Sequence, residues 1–247
     1  MVWNILFGNG NAIHKVLLLA AFVFSAIFAI SLHEVAHGFA AYKMGDATAK
    51  VQGRLTLNPV AHFDPLGLAM FLLVGFGFAK PVPVNPYNFK NLRKGMLLVS
   101  FAGVIANLIL ALISFGFMIG FGYAGLSKFG FAFTGYYLEG NALYYFLFFL
   151  YYFSVFACLL NAVLIAFNLL PIYPLDGFRV VESLAPYDNG YVRFMRRYGQ
   201  YILIGIVLLG FFFRRVGIPQ ADIFGQYLSL VQRGILELFE LIMGGLF

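Results

Sequence analysis

Residues 141–170 read NALYYFLFFLYYFSVFACLLNAVLIAFNLL, thirty consecutive positions without a charged side chain. About twenty apolar residues in a helix cross the hydrocarbon core of a bilayer. In lipid, every backbone N–H and C=O must be satisfied within such a segment. This stretch therefore reads as a membrane-spanning helix closed by Pro171, and lipid is the solvent to which the rest of the chain must answer. Three further runs qualify: 16–44, 96–120 and 199–217, the last apolar only from 199 to 213. The C-terminal 222–247 is apolar but carries Arg233, Glu237 and Glu240. It predicts an amphipathic or membrane helix in which Arg233 and Glu237 pair at i, i+4. The chain is 62% hydrophobic and 11% charged, against about half and a quarter in soluble domains, so residues 1–247 are taken as one integral-membrane unit.

That composition excludes several functions. The formal charge of +6 is spread over the flanks of apolar runs and forms no nucleic-acid patch. The single Cys158 lies inside a span, so it can form no intrachain disulfide and reads as a packing residue. The N-terminus lacks a basic n-region and a small-residue cleavage pattern, so the first span is expected to act as its own insertion signal. His14 precedes that span and receives no role.

Residues 46–95 are harder to read. KVQGRLTLNP alternates like a short strand or hairpin. DPLGLAMFLLVGFGFA, residues 64–79, is apolar, yet Asp64, Pro65 and Gly67, Gly75 and Gly77 argue against a regular span. KPVPVNPYNF follows, and its prolines enforce extended chain. Extended backbone at membrane depth is tolerated only where protein or water covers it. Residues 64–79 are therefore expected to be re-entrant and to border a cavity.

Within the first span stands FAISLHEVAHGFAAY, with His33, Glu34 and His37 in five positions. A lone histidine in an apolar helix is commonly a hydrogen-bonded core residue. Here three ionisable groups cluster, at an insertion cost of about 2–3 kcal/mol each. On a helix His33 and His37 share a face and can both reach one zinc ion, while Glu34 can take a proton from a metal-bound water. A catalytic zinc site needs a third protein ligand and one open position. The candidate is Asp176 in NLLPIYPLDG, residues 168–177, where the chain is broken by proline. An N-cap of the following GFRVVESL helix is the other reading of Asp176.

HEVAH in the first span and NLLPIYPLDG after a later one resemble the site-2 protease family of intramembrane zinc metalloproteases. FAGVIANLI, residues 101–109, is similar to that family's Gly-x-x-x-Asn span motif, and GRLTLNPVAHFDPLG and AKPVPVNPYNF look like its short branch without PDZ or CBS domains. The motifs fall in the family's order over about residues 16–185. Val104 and Tyr173 stand where the family usually has proline.

The resemblance implies His33, His37 and Asp176 as ligands of one Zn²⁺ and Glu34 as general base. It makes Asn107 and Asn168 candidates for steadying substrate or oxyanion. For Asn107, an interhelical hydrogen bond at a small-residue interface is an equal reading. His62 lies in the family-like loop and is expected to pack or support a ligand. The implied substrate is a transmembrane segment of another protein, cut in regulated intramembrane proteolysis, with lipid as the surroundings and an unidentified partner as regulator. A non-catalytic membrane-segment binder and a membrane metal carrier are the competing classes.

The expected fold is an all-α polytopic membrane protein. It has a core of three transmembrane helices carrying the zinc site, a membrane-associated β-hairpin and re-entrant segment, and one or two C-terminal helices. A re-entrant 64–79 puts Lys43, Lys50, Arg54, Lys80, Lys90, Arg93, Lys94, Arg179, Arg193, Arg196 and Arg197 on one side, eleven cations, and Lys15, Lys128, Arg214 and Arg215 on the other. The positive-inside rule then sets the site toward the cytoplasm in the cell (inner) membrane, with the N-terminus outside.

Overall fold

The computed structural model describes residues 11–62, 64, 67, 80–129, 141–186 and 189–244. The described residues are helical or irregular and contain no strand. The long helices are α1 (Ala12–Lys43), α3 (Leu92–Phe129), α4 (Ala142–Asn168), α6 (Gly190–Val216) and α7 (Ile223–Gly244), with short α2 (Thr48–Val51) and α5 (Asp176–Leu184). Among the described residues, α1, α3, α4 and α6 are long and apolar enough to cross a membrane.

Asparagines open three of these helices. The side chains of Asn11, Asn141 and Asn189 accept from the first-turn N–H groups of α1, α4 and α6, which would otherwise be unpaired. α1, α3 and α4 pack against one another pairwise. Small residues let them approach closely: Ala21, Ser25, Ala26 and Ala29 are buried on α1. Leu18, Ala21 and Phe22 of α1 form one core cluster with Tyr144, Phe148 and Phe156 of α4. Ser25 donates to the carbonyls of Ala21 and Phe153, which ties the two helices further. α7 runs antiparallel to α4: Tyr227 Oη donates to the Ala166 carbonyl and Gln232 Nε2 to that of Leu159. Its Phe239 is buried with Ala111 and Phe115 of α3 and Cys158 of α4.

The strand or hairpin expected at 50–59 is not formed. α2 occupies Thr48–Val51, a turn with Gly53 at φ +66° follows, and Pro59–Ala61 is a 3₁₀ turn. The reason is local. Gly53 adopts the left-handed conformation, and the Gly53 and Arg54 N–H groups then bond back to Lys50 and Ala49, which closes the turn. Among the described residues the extended 81–84 stretch pairs with no strand, and side chains take up part of its backbone. Arg54 Nη2 donates to the carbonyls of Lys80 and Pro81, and the Val82 N–H goes to Glu34.

Of residues 64–79, expected from the sequence to be re-entrant, only Asp64 and Gly67 lie among the described residues. The chain on either side of it is described. Lys80 N–H donates to the His62 carbonyl at 2.9 Å, and Lys90 N–H to that of Met44 at 3.1 Å. The chain therefore returns to the end of α1 before α3 begins.

α6 differs from the spans it was grouped with. Tyr191 Oη donates to the Pro171 carbonyl, Gly199 packs on Tyr173, and Gly210 packs on Asp222. Phe224, just beyond Asp222, meets Phe167 in the last turn of α4. Both halves of α6 thus touch chain gathered at one end of the bundle.

Candidate metal centre

His33 and His37 stand one turn apart on α1 and face α3, and both are buried. The tight fit comes from Gly103 of α3. A Cβ there would lie 2.5 Å from His33 Cε1 and from His37 Nε2. Any side chain at 103 would push the imidazoles off the helix.

Both rings are oriented through Nδ1. His37 Nδ1 lies 2.7 Å from the Val99 carbonyl, which can only accept, so the proton sits on Nδ1 and the lone pair on Nε2. His33 is oriented by a longer chain. Asn161 Nδ2 donates to the Ala157 carbonyl, its Oδ1 accepts from Asn107 Nδ2, and Asn107 Oδ1 accepts from His33 Nδ1–H. A backbone carbonyl on α4 thereby fixes two amides and, through them, the tautomer of a histidine on α1.

Asp176 completes the cluster. It is the first residue of α5, with Leu175 at the cap position, and its side chain makes no cap. The capping alternative is therefore corrected: the carboxylate turns to the histidines instead. Oδ2 lies 3.3 Å from His33 Nε2 and 3.1 Å from His37 Nε2, and the two Nε2 atoms are 3.0 Å apart. Gly177 makes the approach possible, because a Cβ there would collide with the Leu169 and Leu170 carbonyls at the end of α4.

Three acceptor atoms thus converge in a buried pocket, and Asp176 Oδ2 has no ordinary hydrogen-bond donor among the described residues. Without a proton or a cation between them they repel. Ligands about 2.0–2.2 Å from a tetrahedral zinc sit about 3.3–3.6 Å apart, a few tenths of an ångström wider than the 3.0–3.3 Å seen here. The donor set, two imidazoles and a carboxylate, fits Zn²⁺.

The remaining predicted residues separate. Glu34 lies beside the cluster, half-buried, and its Oε2 accepts from Val82 N–H at 2.8 Å. Asn107 supports His33, and its Nδ2 also faces the Ala29 carbonyl. Asn168, in the last turn of α4, bonds through Nδ2 to the Leu164 carbonyl of its own helix. His62 is fully buried, donates through Nε2 to the Thr56 carbonyl, and stands outside the cluster. His14 is buried against Tyr144, Tyr145 and Phe148.

Val82 and Asn161 carry no role in the sequence reading, and Gly103 enters it only as the glycine of the Gly-x-x-x-Asn motif. Asn161 had a usable signal. An amide in the middle of an uncharged span is costly unless it finds a polar partner across the interface.

The family model of peptidase family M50 matches residues 21–210, which include every residue of the cluster. The chain belongs to peptidase family M50, the site-2 protease family. Among curated members, the Bacillus subtilis protein named "Putative zinc metalloprotease YwhC" is 44% identical over 169 residues, covering 68% of this chain and 71% of that protein. "Putative zinc metalloprotease Rip2" of Mycolicibacterium smegmatis is 29% identical over 191 residues, covering 74% of this chain and 64% of its own length. No solved structure matches. As an M50 member this is a membrane protein of a metalloprotease family, and its His-His-Asp group is compatible with the zinc of its relatives' names.

Proposed function

We propose that the protein is an intramembrane zinc metalloprotease that hydrolyses peptide bonds in or near transmembrane segments of other membrane proteins. The observation that carries this reading is the convergence of His33 Nε2, His37 Nε2 and Asp176 Oδ2 within 3.3 Å of one another in a bundle of apolar helices. These three would hold the ion, and Glu34 would be the general base. When bound, zinc lowers the pKa of a water toward about 7 and polarises the scissile carbonyl.

The chain's own residues do the rest. Val99 and the Asn161–Asn107 relay keep both ring protons on Nδ1, so the two Nε2 lone pairs stay available. Val82 N–H holds one oxygen of Glu34, which orients the carboxylate to accept a proton and pass it to the leaving amine. The extended Pro81–Val84 stretch lies against the same face of α1, with Val82 packed on Gly38. It is suited to receive an unwound substrate segment, since a helical one shields its peptide bonds. Residues 64–79 would enter and leave on one side, a reading supported by the Lys80–His62 bond, and would shelter the site.

The test is zinc content together with cleavage of co-expressed single-span proteins. Glu34→Gln should retain zinc and lose cleavage, whereas His37→Ala and Asp176→Ala should lose zinc. Undiminished cleavage by Glu34→Gln would remove it as base. Full zinc occupancy in either ligand variant would remove that residue from the site.

A further inference from the structure

Glu34, the general base of the proposed reaction, takes one hydrogen bond among the described residues: Val82 N–H donates to its Oε2 at 2.8 Å. That donor is isolated by the sequence around it. Pro81 and Pro83 carry no N–H, so Val82 supplies the only backbone donor of residues 81–83. Pro81 holds its own φ near about −65°, and Pro83 keeps Val82 out of the helical region. The stretch is also tied at both ends. Lys80 N–H donates to the His62 carbonyl at 2.9 Å, and Asn85 N–H to Asp46 Oδ2 at 2.7 Å. What stays free is the peptide plane between Pro81 and Val82, which can swing about the bonds on either side of it. Among the described residues no backbone group holds that plane.

Arg54 holds its other end. The Pro81–Val82 peptide is trans, so its C=O and N–H point in opposite directions from one rigid plane. Arg54 Nη2 donates to the Pro81 carbonyl at 3.2 Å and to the Lys80 carbonyl at 2.7 Å. The guanidinium thus sits at the negative end of the peptide dipole and the Glu34 carboxylate at its positive end. Each charge favours the orientation of the dipole that the other needs. Arg54 is itself well fixed, its N–H on the Ala49 carbonyl at 2.8 Å. Among the described residues it makes no direct ion pair, and its Nε is buried without an acceptor. An unpaired buried donor costs stability and marks a group held in place for another reason.

We propose that Arg54 is a positioning residue for Glu34, acting through the Pro81–Val82 peptide group as an ion pair relayed by one amide. The proposal rests on the reading of Glu34 as general base and deepens it. Without the guanidinium the plane can swing, the N–H leaves Oε2, and the carboxylate loses the bond that aims it. None of the bonds described for Arg54 goes to His33, His37 or Asp176, so zinc binding should not depend on it.

The test uses full-length protein in detergent and has two readouts. The first needs no substrate: thermal midpoints of the unaltered protein, Arg54→Gln, Glu34→Gln and the double variant. A relayed pair makes the two changes non-additive. Arg54→Gln should lower the midpoint clearly less in the Glu34→Gln background than in the unaltered one, and equal shifts in both overturn the proposal. The second readout is cleavage of a single-span protein, with zinc content measured alongside. Arg54→Gln should lower kcat about tenfold or more, the loss of a charge-assisted bond, with KM and zinc unchanged. A raised KM at unchanged kcat would make Arg54 a substrate-binding residue and overturn the positioning role; so would loss of zinc. Arg54→Lys, which keeps the charge, should show smaller effects of the same sign in both readouts, and it replaces Arg54→Gln if that variant does not fold. If the unaltered protein cleaves nothing, the protease reading fails while the melting cycle still decides the coupling of Arg54 to Glu34.

Discussion

Gly103 bears on the metal centre as strongly as any ligand. Its missing side chain is the space the two imidazoles occupy, with ring atoms 2.5 Å from where a Cβ would stand. Gly103→Ala should therefore cost about 1–3 kcal/mol, as overpacking of a tight interior does, and should strip zinc. Elemental analysis of the purified variant beside its thermal midpoint checks both. Asn161 acts at one remove. Asn161→Leu would free the Asn107 amide to turn and release the His33 tautomer. Zinc affinity should fall about 10–100-fold, as when partners of metal-bound histidines are lost; competition with a zinc chelator measures it. HEVAH and LDG were legible because their spacing carries chemistry. Gly103 was visible only as part of the Gly-x-x-x-Asn motif and Asn161 only as a lone amide in an uncharged span; what each touches lies on another helix and could not be read from either.

The element that ties the site's surroundings together is the junction after α1. Asp46 is fully buried. Its Oδ1 accepts from Thr48 N–H and Oγ1 and from Asn88 Nδ2, and its Oδ2 accepts from Asn85 N–H. One carboxylate thus links the end of α1, the start of α2 and the 3₁₀ turn Pro86–Asn88, and so anchors the stretch that carries Val82 to Glu34. Burial alone would raise the Asp46 pKa, but the bonds from Thr48, Asn85 and Asn88 outweigh it and depress the folded-state value. A depressed carboxyl contributes stability fully above the ordinary aspartate pKa of about 3.9 and loses it as pH falls through the folded value. Asp46→Asn should melt lower near neutrality by the equivalent of about 1.5–3 kcal/mol. Its stability should also decline less steeply below about pH 4 than that of the unaltered protein. Melting curves of both across pH 3–7 decide it. Pro81 and Pro83 announced extended chain correctly, whereas Pro86 opens the 3₁₀ turn Pro86–Asn88. The strand read at 50–59 failed because the turn at Gly53 closes on the backbone of Lys50 and Ala49, and alternation by itself does not prevent that.

Across the whole molecule, the contacts of α6 bear on the expected charge map. α6 is long and apolar enough to cross a membrane, which would leave Arg214 and Arg215 opposite the eleven cations expected on the site's side; lying along the interface, it would put them with those eleven, thirteen against Lys15 and Lys128. In a Cys158→Ala background, Gln220→Cys should resist a membrane-impermeant maleimide in right-side-out vesicles and react after lysis. Ser127→Cys, at the far end of α3, should react in both. Labelling of Gln220→Cys from outside would return α6 to a crossing. By itself the sequence determined the solvent, the helical class and the chemistry, because a bilayer requires long uncharged helices and zinc requires His and carboxylate at defined spacing. Only the tertiary structure decided which helix ends meet, that His33, His37 and Asp176 converge across about 140 intervening residues, and that α6 turns along the bundle's end. Those outcomes depend on close approach between distant segments, through glycines, buried amides and paired carboxylates whose partners lie far away in the chain.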